Sequence, residues 1–295
     1  MRIASLLPSA TEIVCALGLE ESLVAVTHEC DYPKSVKAKP VVTRSLLDGT
    51  GGSAEIDRHI RELIHQGSSI YALDADRLAT LHPDLILTQE LCEVCAVSYP
   101  VVEKAARRSS TSTQLVSLEP EHLADVFEHI RLVGRLADRA AVAERVVADL
   151  ERRLLRVQQR VGDRPVRPVV ILEWIDPPFN AGHWTPELVG MAGGRDLLGI
   201  AGRPAHPIGW EAVVGARPEV LVVSACGFSL ERSLAEAAAA RGRLAALAAE
   251  IWVVDGNAFF SRPGPRLVDS VEILAGILHP AAVDSPPATA AQRLR

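Results

Sequence analysis

The pattern of hydrophobic and polar positions divides the chain into short apolar runs and longer amphipathic segments with a helical period. The short runs predict strands and the longer segments predict helices. In the first half, strands are expected near residues 2–6, 22–27, 84–88 and 114–118, and helices near residues 9–17, 55–66, 74–82 and 97–108. In the second half, strands are expected at residues 169–172, 219–224 and 250–254, and helices at residues 185–192, 209–216, 229–240 and 265–278. This alternation predicts an α/β fold with mostly parallel sheets and helices on both faces.

One segment occurs twice, since residues 76–87 are echoed by residues 211–222. Each copy reads as a short helix, a proline, an acidic residue and then an apolar strand. Each also carries a carboxylate seven residues before its proline, Asp76 in the first copy and Glu211 in the second. One copy in each half predicts two Rossmann-like lobes, residues 1–118 and 163–280, with a ligand cleft between them. That architecture is typical of binding proteins.

A helical connector, residues 119–162, is expected between the lobes. Its two amphipathic patterns cover residues 121–137 and 139–161. The second helix would run roughly 35 Å, long enough to cross from one lobe to the other. Asp138 is expected to cap it, and Gly134 to mark the bend before it.

Two further segments read as irregular. Residues 43–53 contain three glycines and are expected to form a mobile loop. Residues 281–295 are mostly Ala, Pro, Ser and Thr with little to bury, which predicts a disordered tail.

Composition narrows the possible partners and the compartment. A net charge of −6 and scattered arginines exclude nucleic acid as an expected partner.

The first predicted strand starts directly after Met1-Arg2, without the apolar segment and cleavage site of a signal peptide. The chain as written is therefore expected to be cytoplasmic, and periplasmic or membrane-associated if its start is misassigned. Five cysteines, an odd number, fit a reducing compartment. A monomer is expected.

Aromatic and polar side chains follow several of the predicted strands. Only 4 Trp, 3 Tyr and 5 Phe occur in the chain, so their position after strands is informative. Ligands of such folds sit beyond the carboxyl ends of the strands, and aromatic faces there suit a large, flat, partly apolar ligand. Aromatic residues that merely cover the ends of a sheet remain an alternative. The candidates for ligand contact from these loops are Glu29, Gln89, Cys92, Cys95, Trp174, Phe179, His183, Trp184, Phe259 and Arg262.

The pair Cys92 and Cys95 allows a second interpretation. With Cys30 and His28 it could hold a metal ion, which would make the chain a cytoplasmic metal- or thiol-dependent enzyme or sensor. The other interpretation of the pair is a pocket wall of small polarizable side chains. No Gly-x-Ser-x-Gly elbow or phosphate-binding loop occurs, so a catalytic activity is not expected.

Asp76 and Glu211 also have two interpretations. A carboxylate early in a helix is stabilised by the helix dipole, which needs no partner. Their matching positions in the two copies instead suggest one acidic spot on each lobe, which a partner with two arginine clusters could bind.

Several segments, taken in order, resemble a known family. The chain is similar to the helical-backbone (class III) substrate-binding proteins of ABC importers for cobalamin, haem and iron–siderophores, and most of all to their cobalamin-binding members. The matching segments are 5–12, Asp31-Tyr32-Pro33, 81–85, 176–182, Ala192-Gly193-Gly194 and 260–266.

The resemblance implies a corrinoid, or a related metal chelate, bound without chemistry between the lobes. No cofactor is then required, because the corrinoid is the ligand. By position, Glu29, the loop 89–95, Phe179, His206 and Arg262 would contact it. The resemblance also implies that Asp76 and Glu211 dock on arginines of a permease. His183 or His206 could serve as an axial ligand to cobalt.

Overall fold

The computed structural model describes residues 1–47, 51–65, 70–90, 97–109, 112–247 and 249–294. The chain forms two compact units. Unit 1 comprises Met1–Gly51, Glu55–Glu119 and Phe127–Val147, and unit 2 comprises Gly52–Ala54, Pro120–Val126 and Ala148–Arg295. Both are α/β, as the alternating pattern predicts.

Unit 1 is built on a parallel sheet in the order β2-β1-β5-β6. Its strands, in chain order, are β1 (Ile3–Ser5), β2 (Leu23–Ala25), β3 (Thr43–Ser45), β4 (Tyr71–Leu73), β5 (Leu85–Thr88) and β6 (Gln114–Ser117). Its helices are α1 (Pro8–Ala16), α2 (Ser53–His65, whose first two residues group with unit 2), α3 (Ala75–Thr80) and α4 (Tyr99–Ser109). Strand β5 is fully buried and its first three residues are apolar, as expected for a strand inside a parallel sheet.

Two helices contribute residues to both units: α5 (Leu123–Leu136) and α6 (Ala140–Val161). The break between them lies at Asp138, which has a left-handed φ of 54°. Gly134 lies within α5, so the expected bend at Gly134 is wrong. The carbonyl of Arg139, rather than Asp138, accepts the first hydrogen bonds of α6, from the N–H groups of Val142 and Ala143.

Unit 2 is built on a sheet in the order β10-β7-β11-β12-β13, parallel except for its last strand. Its strands are β7 (Arg167–Leu172), β8 (Trp174–Ile175), β9 (Pro178–Phe179), β10 (Gly194–Asp196), β11 (Val220–Val223), β12 (Glu250–Val254) and β13 (Ala291–Arg293). Its helices are α7 (Thr185–Met191), α8 (Trp210–Ala216), α9 (Leu230–Ala239), α10 (Arg241–Ala245) and α11 (Leu267–Leu278). A π-helical turn, Gly256–Phe260, follows β12. Strands β7 and β11 supply much of the buried apolar core.

The structure differs from the sequence-based prediction at two segments that were expected to be irregular. The expected loop at residues 43–53 begins with β3, which pairs antiparallel with β4, and residues 48–50 lie outside the described part. The expected disordered tail is wrong over residues 281–294, because β13 pairs antiparallel with β12. Ala290 and Ala291 are buried there. Within the part of the chain that is described, no helix combines the length and apolarity needed to span a membrane.

Candidate functional site

A cluster of polar and aromatic side chains lies at the carboxyl end of β2 in unit 1. We call His28, Glu29, Thr43 and Tyr71 the unit 1 polar cluster. The Tyr71 hydroxyl donates a hydrogen bond to Glu29 Oε1 at 3.1 Å, and His28 Nδ1 lies 2.8 Å from Thr43 Oγ1. The rings of His28 and Tyr71 are tilted, with centroids 5.5 Å apart. These four side chains line one small pocket together with Leu6, Pro8, Thr27 and Val97.

Burial lowers the pKa of His28, and the nearby Glu29 carboxylate opposes that shift in part. The imidazole is therefore mainly neutral at pH 7, and Thr43 occupies its Nδ1. Gln89, which follows β5, is half-buried and is not among the residues that line this pocket.

Cys30 directly follows Glu29 in the chain, and only 5% of its surface is exposed. Its Sγ is 3.1 Å from both Thr11 Oγ1 and Thr27 Oγ1. Cys92 and Cys95 fall outside the described residues. Among the residues that are described, no group of three His, Cys, Asp or Glu side chains is placed to hold a metal ion.

The main aromatic surface of unit 2 lies at the carboxyl ends of β7 and β11. We call Trp174, Phe179 and Phe228 the unit 2 aromatic cluster. The rings of Trp174 and Phe228 have centroids 4.9 Å apart, and the Arg232 guanidinium lies 3.9 Å from the centroid of Phe228. Trp174 pairs with Phe179 across the β8–β9 hairpin. The Trp174 and Phe228 rings are tilted by 57°, and Phe228 is only 5% exposed, so Trp174 and Phe179 are the members of the cluster that remain partly exposed.

His206 lies beside this cluster. Its backbone N–H donates to Asn180 Oδ1 at 2.8 Å, and the Asn180 N–H donates to the His206 carbonyl at 3.2 Å. Asn180 follows Phe179 directly, so the two predicted contacts Phe179 and His206 are held on adjoining segments. The His206 side chain is exposed.

His183 and Trp184 form a second, separate group. Their rings stack with centroids 5.6 Å apart, and the Trp184 Nε1–H donates to the Phe260 carbonyl at 2.9 Å. Burial lowers the pKa of His183. Its Nδ1 is buried and has no hydrogen-bond partner among the described residues.

The loop after β12 holds Phe259 and Arg262. Arg262 is 5% exposed, and its Nη2 donates to Asn257 Oδ1 at 3.1 Å. The Asn257 N–H in turn donates to the Phe228 carbonyl at 3.0 Å, which ties Arg262 to the unit 2 aromatic cluster. Phe259 instead packs near Arg266, whose guanidinium lies 5.6 Å from the ring centroid.

Glu173 lies between β7 and the β8–β9 hairpin, which carries Trp174 and Phe179. Burial raises the pKa of Glu173 to about 7, although hydrogen bonds from the Gly182 N–H and the Thr185 hydroxyl partly offset the shift. Burial likewise raises the pKa of Asp196, on β10, to about 6.

Asp76 and Glu211 occupy equivalent places in the two units. Both are exposed and lie in the first turn of a short helix, Asp76 in α3 and Glu211 in α8. The structure therefore fits both sequence interpretations, helix-dipole stabilisation and an acidic docking spot on each unit.

Sequence reasoning missed Phe228, Arg232 and Tyr71. Phe228 follows β11 in the loop Cys226-Gly227-Phe228, so the same strand-end argument would have found it. Tyr71 could not be found in this way, because it lies in the unpredicted β3–β4 hairpin.

Comparison with known proteins gives a consistent result. A family model described as periplasmic binding protein matches residues 3–250. A vitamin B12-binding protein of Vibrio cholerae is 24% identical over 291 residues, covering 92% of this chain and 86% of that protein. An uncharacterized ABC transporter substrate-binding lipoprotein of Bacillus subtilis is 23% identical, covering 95% of this chain and 80% of that protein. The crystal structure of a periplasmic heme binding protein from Pseudomonas aeruginosa superposes with a TM-score of 0.75 at 21% identity, covering 100% of this chain and 98% of that one.

Proposed function

Because the chain belongs to the periplasmic binding protein family, we propose that it binds a corrinoid or a related metal chelate, such as haem or an iron–siderophore, as the substrate-binding component of an ABC transporter. The observation that carries the proposal is the unit 2 aromatic cluster. Trp174 and Phe179 are half-buried and pair across the β8–β9 hairpin, and the Trp174 ring packs at a tilt on Phe228, which is only 5% exposed. Such a surface suits a broad, flat, partly apolar macrocycle better than a small polar solute.

The polar neighbours of these rings supply orientation. Arg232 and Arg262 carry positive charge close to the aromatic cluster. Within unit 1, taken by itself, the unit 1 polar cluster lines a pocket with hydroxyl, carboxylate and imidazole groups. Carboxylates of haem or amide side chains of a corrinoid are natural partners for such groups. The expected placement of the ligand between the lobes stays a prediction, and so do the axial roles of His183 and His206.

No chemical step is proposed for the bound ligand. The proposed function needs no cofactor, because the corrinoid or metal chelate is the ligand itself. The relatives are binding proteins, and they give no support to the alternative enzyme or sensor built on His28, Cys30, Cys92 and Cys95. The buried, hydrogen-bonded Cys30 also argues against a thiol nucleophile at that position, because reactive cysteines are partly exposed thiolates.

The proposed cellular location of the protein also follows from its membership of the periplasmic binding protein family. The cytoplasmic location expected from the N-terminus is not supported, whereas a periplasmic or membrane-associated location agrees with the family. We therefore propose that the protein works outside the cytoplasm, which fractionation of the source cells would contradict by finding it only in the cytosol.

Titration of the purified protein with cyanocobalamin and with haemin tests the ligand class. We expect one of the two to bind with a Kd of about 1 μM or below, equivalent to roughly −8 kcal/mol. The measurements are the absorbance change of the macrocycle and the heat of binding. Failure of both ligands to bind a folded sample would contradict binding of a corrinoid or of haem.

Asp76 and Glu211 are proposed to dock on arginines of the permease. Replacing both by arginine should leave ligand affinity unchanged, because both residues are exposed in the first turns of α3 and α8. Binding to the permease should weaken roughly tenfold or more, since like charges then face each other. The measurement is binding to the partner ABC permease reconstituted in nanodiscs.

The matched control changes two other exposed carboxylates, Glu62 and Asp163, to arginine, which alters the net charge by the same amount. Equal weakening of permease binding by both double variants would show that net charge, and not the two helix-start positions, is recognised.

A further inference from the structure

Trp174 is held by a hydrogen bond as well as by its packing against Phe228. Its Nε1–H donates to the Ser53 carbonyl at 3.2 Å. Ser53 is the first residue of α2, and the segment Gly52–Ala54 groups with unit 2. An indole ring turns about two side-chain torsions, and a hydrogen bond at its one donor fixes the direction in which the ring faces. The Ser53 carbonyl therefore sets the orientation of the half-buried Trp174 in the unit 2 aromatic cluster.

Glu236, on α9, holds Ser53 in this place. Its Oε2 accepts a hydrogen bond from the Ser53 N–H at 3.0 Å. The residue before Ser53 lies close to the same carboxylate, since a Cβ on Gly52 would be 3.6 Å from Glu236 Oε1. The first N–H groups of a helix have no partner within the helix, and the helix dipole favours a carboxylate there. Ser53 is only 3% exposed, so loss of this acceptor would leave a buried N–H unpaired, which is costly.

The same face of α9 contacts the second ring of the cluster. Arg232 lies four residues before Glu236, and residues four apart lie on one face of a helix. The Arg232 guanidinium lies 3.9 Å from the centroid of the Phe228 ring, which is only 5% exposed. Glu236 instead reaches Trp174 through Ser53, and Trp174 keeps part of its surface exposed. Of these two α9 side chains, Glu236 is thus the one that controls a ring accessible to a ligand.

We infer that Glu236 is a positioning residue for ligand binding, which acts through Ser53 to hold the Trp174 indole in the orientation that the ligand requires. The inference rests on the proposed function and adds to it a residue that acts through Trp174. Without the Glu236 carboxylate, the segment Gly52–Ala54 must move for the Ser53 N–H to reach water. The Ser53 carbonyl then leaves the Trp174 Nε1–H, and the indole loses its fixed direction.

Affinity measured for a set of variants tests the inference, with the better-binding probe of cyanocobalamin and haemin. We expect Glu236→Ala to raise Kd roughly tenfold, the size of effect typical of one lost hydrogen bond to a charged group. Glu236→Gln keeps a side-chain oxygen that can accept from the Ser53 N–H, so its Kd should stay within about threefold of the wild type. The matched control is Glu231→Ala, which removes an exposed carboxylate from the first turn of the same helix and should bind like the wild type.

A double-mutant cycle separates positioning of Trp174 from a general loss of stability. Trp174→Phe retains a ring but has no Nε1–H, so the Ser53 carbonyl no longer orients it. Adding Glu236→Ala to Trp174→Phe should therefore change Kd less than about twofold. A further tenfold loss in that background would overturn the inference, because Glu236 would then affect binding by a route that does not include the Trp174 hydrogen bond. A wild-type Kd for the single variant Glu236→Ala would overturn it too.

Exchange of the Trp174 indole proton with solvent gives a readout that needs no ligand. Its NMR signal is the indole signal that is missing from Trp174→Phe. We expect exchange to become roughly tenfold faster in Glu236→Ala and to stay unchanged in Glu231→Ala. If neither probe binds but exchange follows this pattern, binding of a corrinoid or of haem is contradicted while the hold of Glu236 on Trp174 stands. Exchange that is unchanged in Glu236→Ala would overturn the inference whatever the ligand.

Discussion

Replacing Trp174 by alanine is expected to weaken ligand binding on the order of 100-fold, while the protein stays folded. Trp174 is half-buried, and its ring packs against Phe228 on one side of the unit 2 aromatic cluster. Large aromatic side chains at the centre of a binding surface dominate affinity because they bury much apolar area at little entropic cost. Loss of the indole also removes the packing that fixes Phe228, so the remaining surface becomes smaller and less rigid. Calorimetric titration with cyanocobalamin or haemin measures the effect.

A matched pair of milder changes separates binding from stability. Trp174→Phe retains a ring and should lose roughly tenfold in affinity. Trp252→Phe makes the same change on β12, where the residue pairs with β13 away from the aromatic cluster, and should bind like the wild type. Unfolding in urea should show similar stability for the two variants. Equal affinities for both would mean that the ligand does not use the aromatic cluster, and the proposed function would lose its main support.

The larger helices and strands could be predicted from the sequence because each carries its full hydrophobic pattern within its own residues. Strands β7 and β11 are apolar runs buried on both faces of a parallel sheet, and their sequence alone identifies them. The two hairpins, β3–β4 and β8–β9, consist of strands of two or three residues and carry no periodic signal. Strand β13 lies in a segment whose composition indicates disorder, and its order comes from pairing with β12. Tertiary pairing of this kind cannot be read from local composition.

The sequence predicted those residues of the candidate site that directly follow a recognisable strand. Trp174 and Phe179 follow β7 directly, and the structure places them in one cluster with Phe228. The same reasoning grouped His183, Trp184 and Phe259 with them. In the structure, His183 stacks on Trp184, Trp184 donates a hydrogen bond to the Phe260 carbonyl, and Phe259 lies near Arg266. Whether Cys92 and Cys95 contact ligand stays a prediction, because they lie outside the described residues. The end of a predicted strand shows that the next residues lie at the edge of the sheet. The contacts of each side chain there depend on the loop conformation, which the sequence pattern does not give.

Gly256→Ala is expected to destabilise unit 2 by about 3 kcal/mol. Gly256 begins the π-helical turn after β12 and is buried. An added Cβ would lie 2.3 Å from the Ala225 carbonyl oxygen and 3.0 Å from the Ser224 carbonyl carbon. Both are backbone atoms at the end of β11, so neither can rotate away, and the two loops must separate. Since the adjacent Asn257 N–H is hydrogen-bonded to the Phe228 carbonyl, ligand affinity should fall as well.

Gly190→Ala is the matched control for this clash. Gly190 lies exposed in α7, and no neighbouring heavy atom comes within 4 Å of the position that its Cβ would occupy. Alanine favours a helix over glycine by roughly 0.5–1 kcal/mol, so this variant should be slightly more stable than the wild type. Unfolding in urea, followed by circular dichroism, compares the two. If Gly256→Ala were as stable as Gly190→Ala, the loops after β11 and β12 would not be packed as closely as the structure shows. The close packing that holds Phe228 next to Trp174 would then need another explanation.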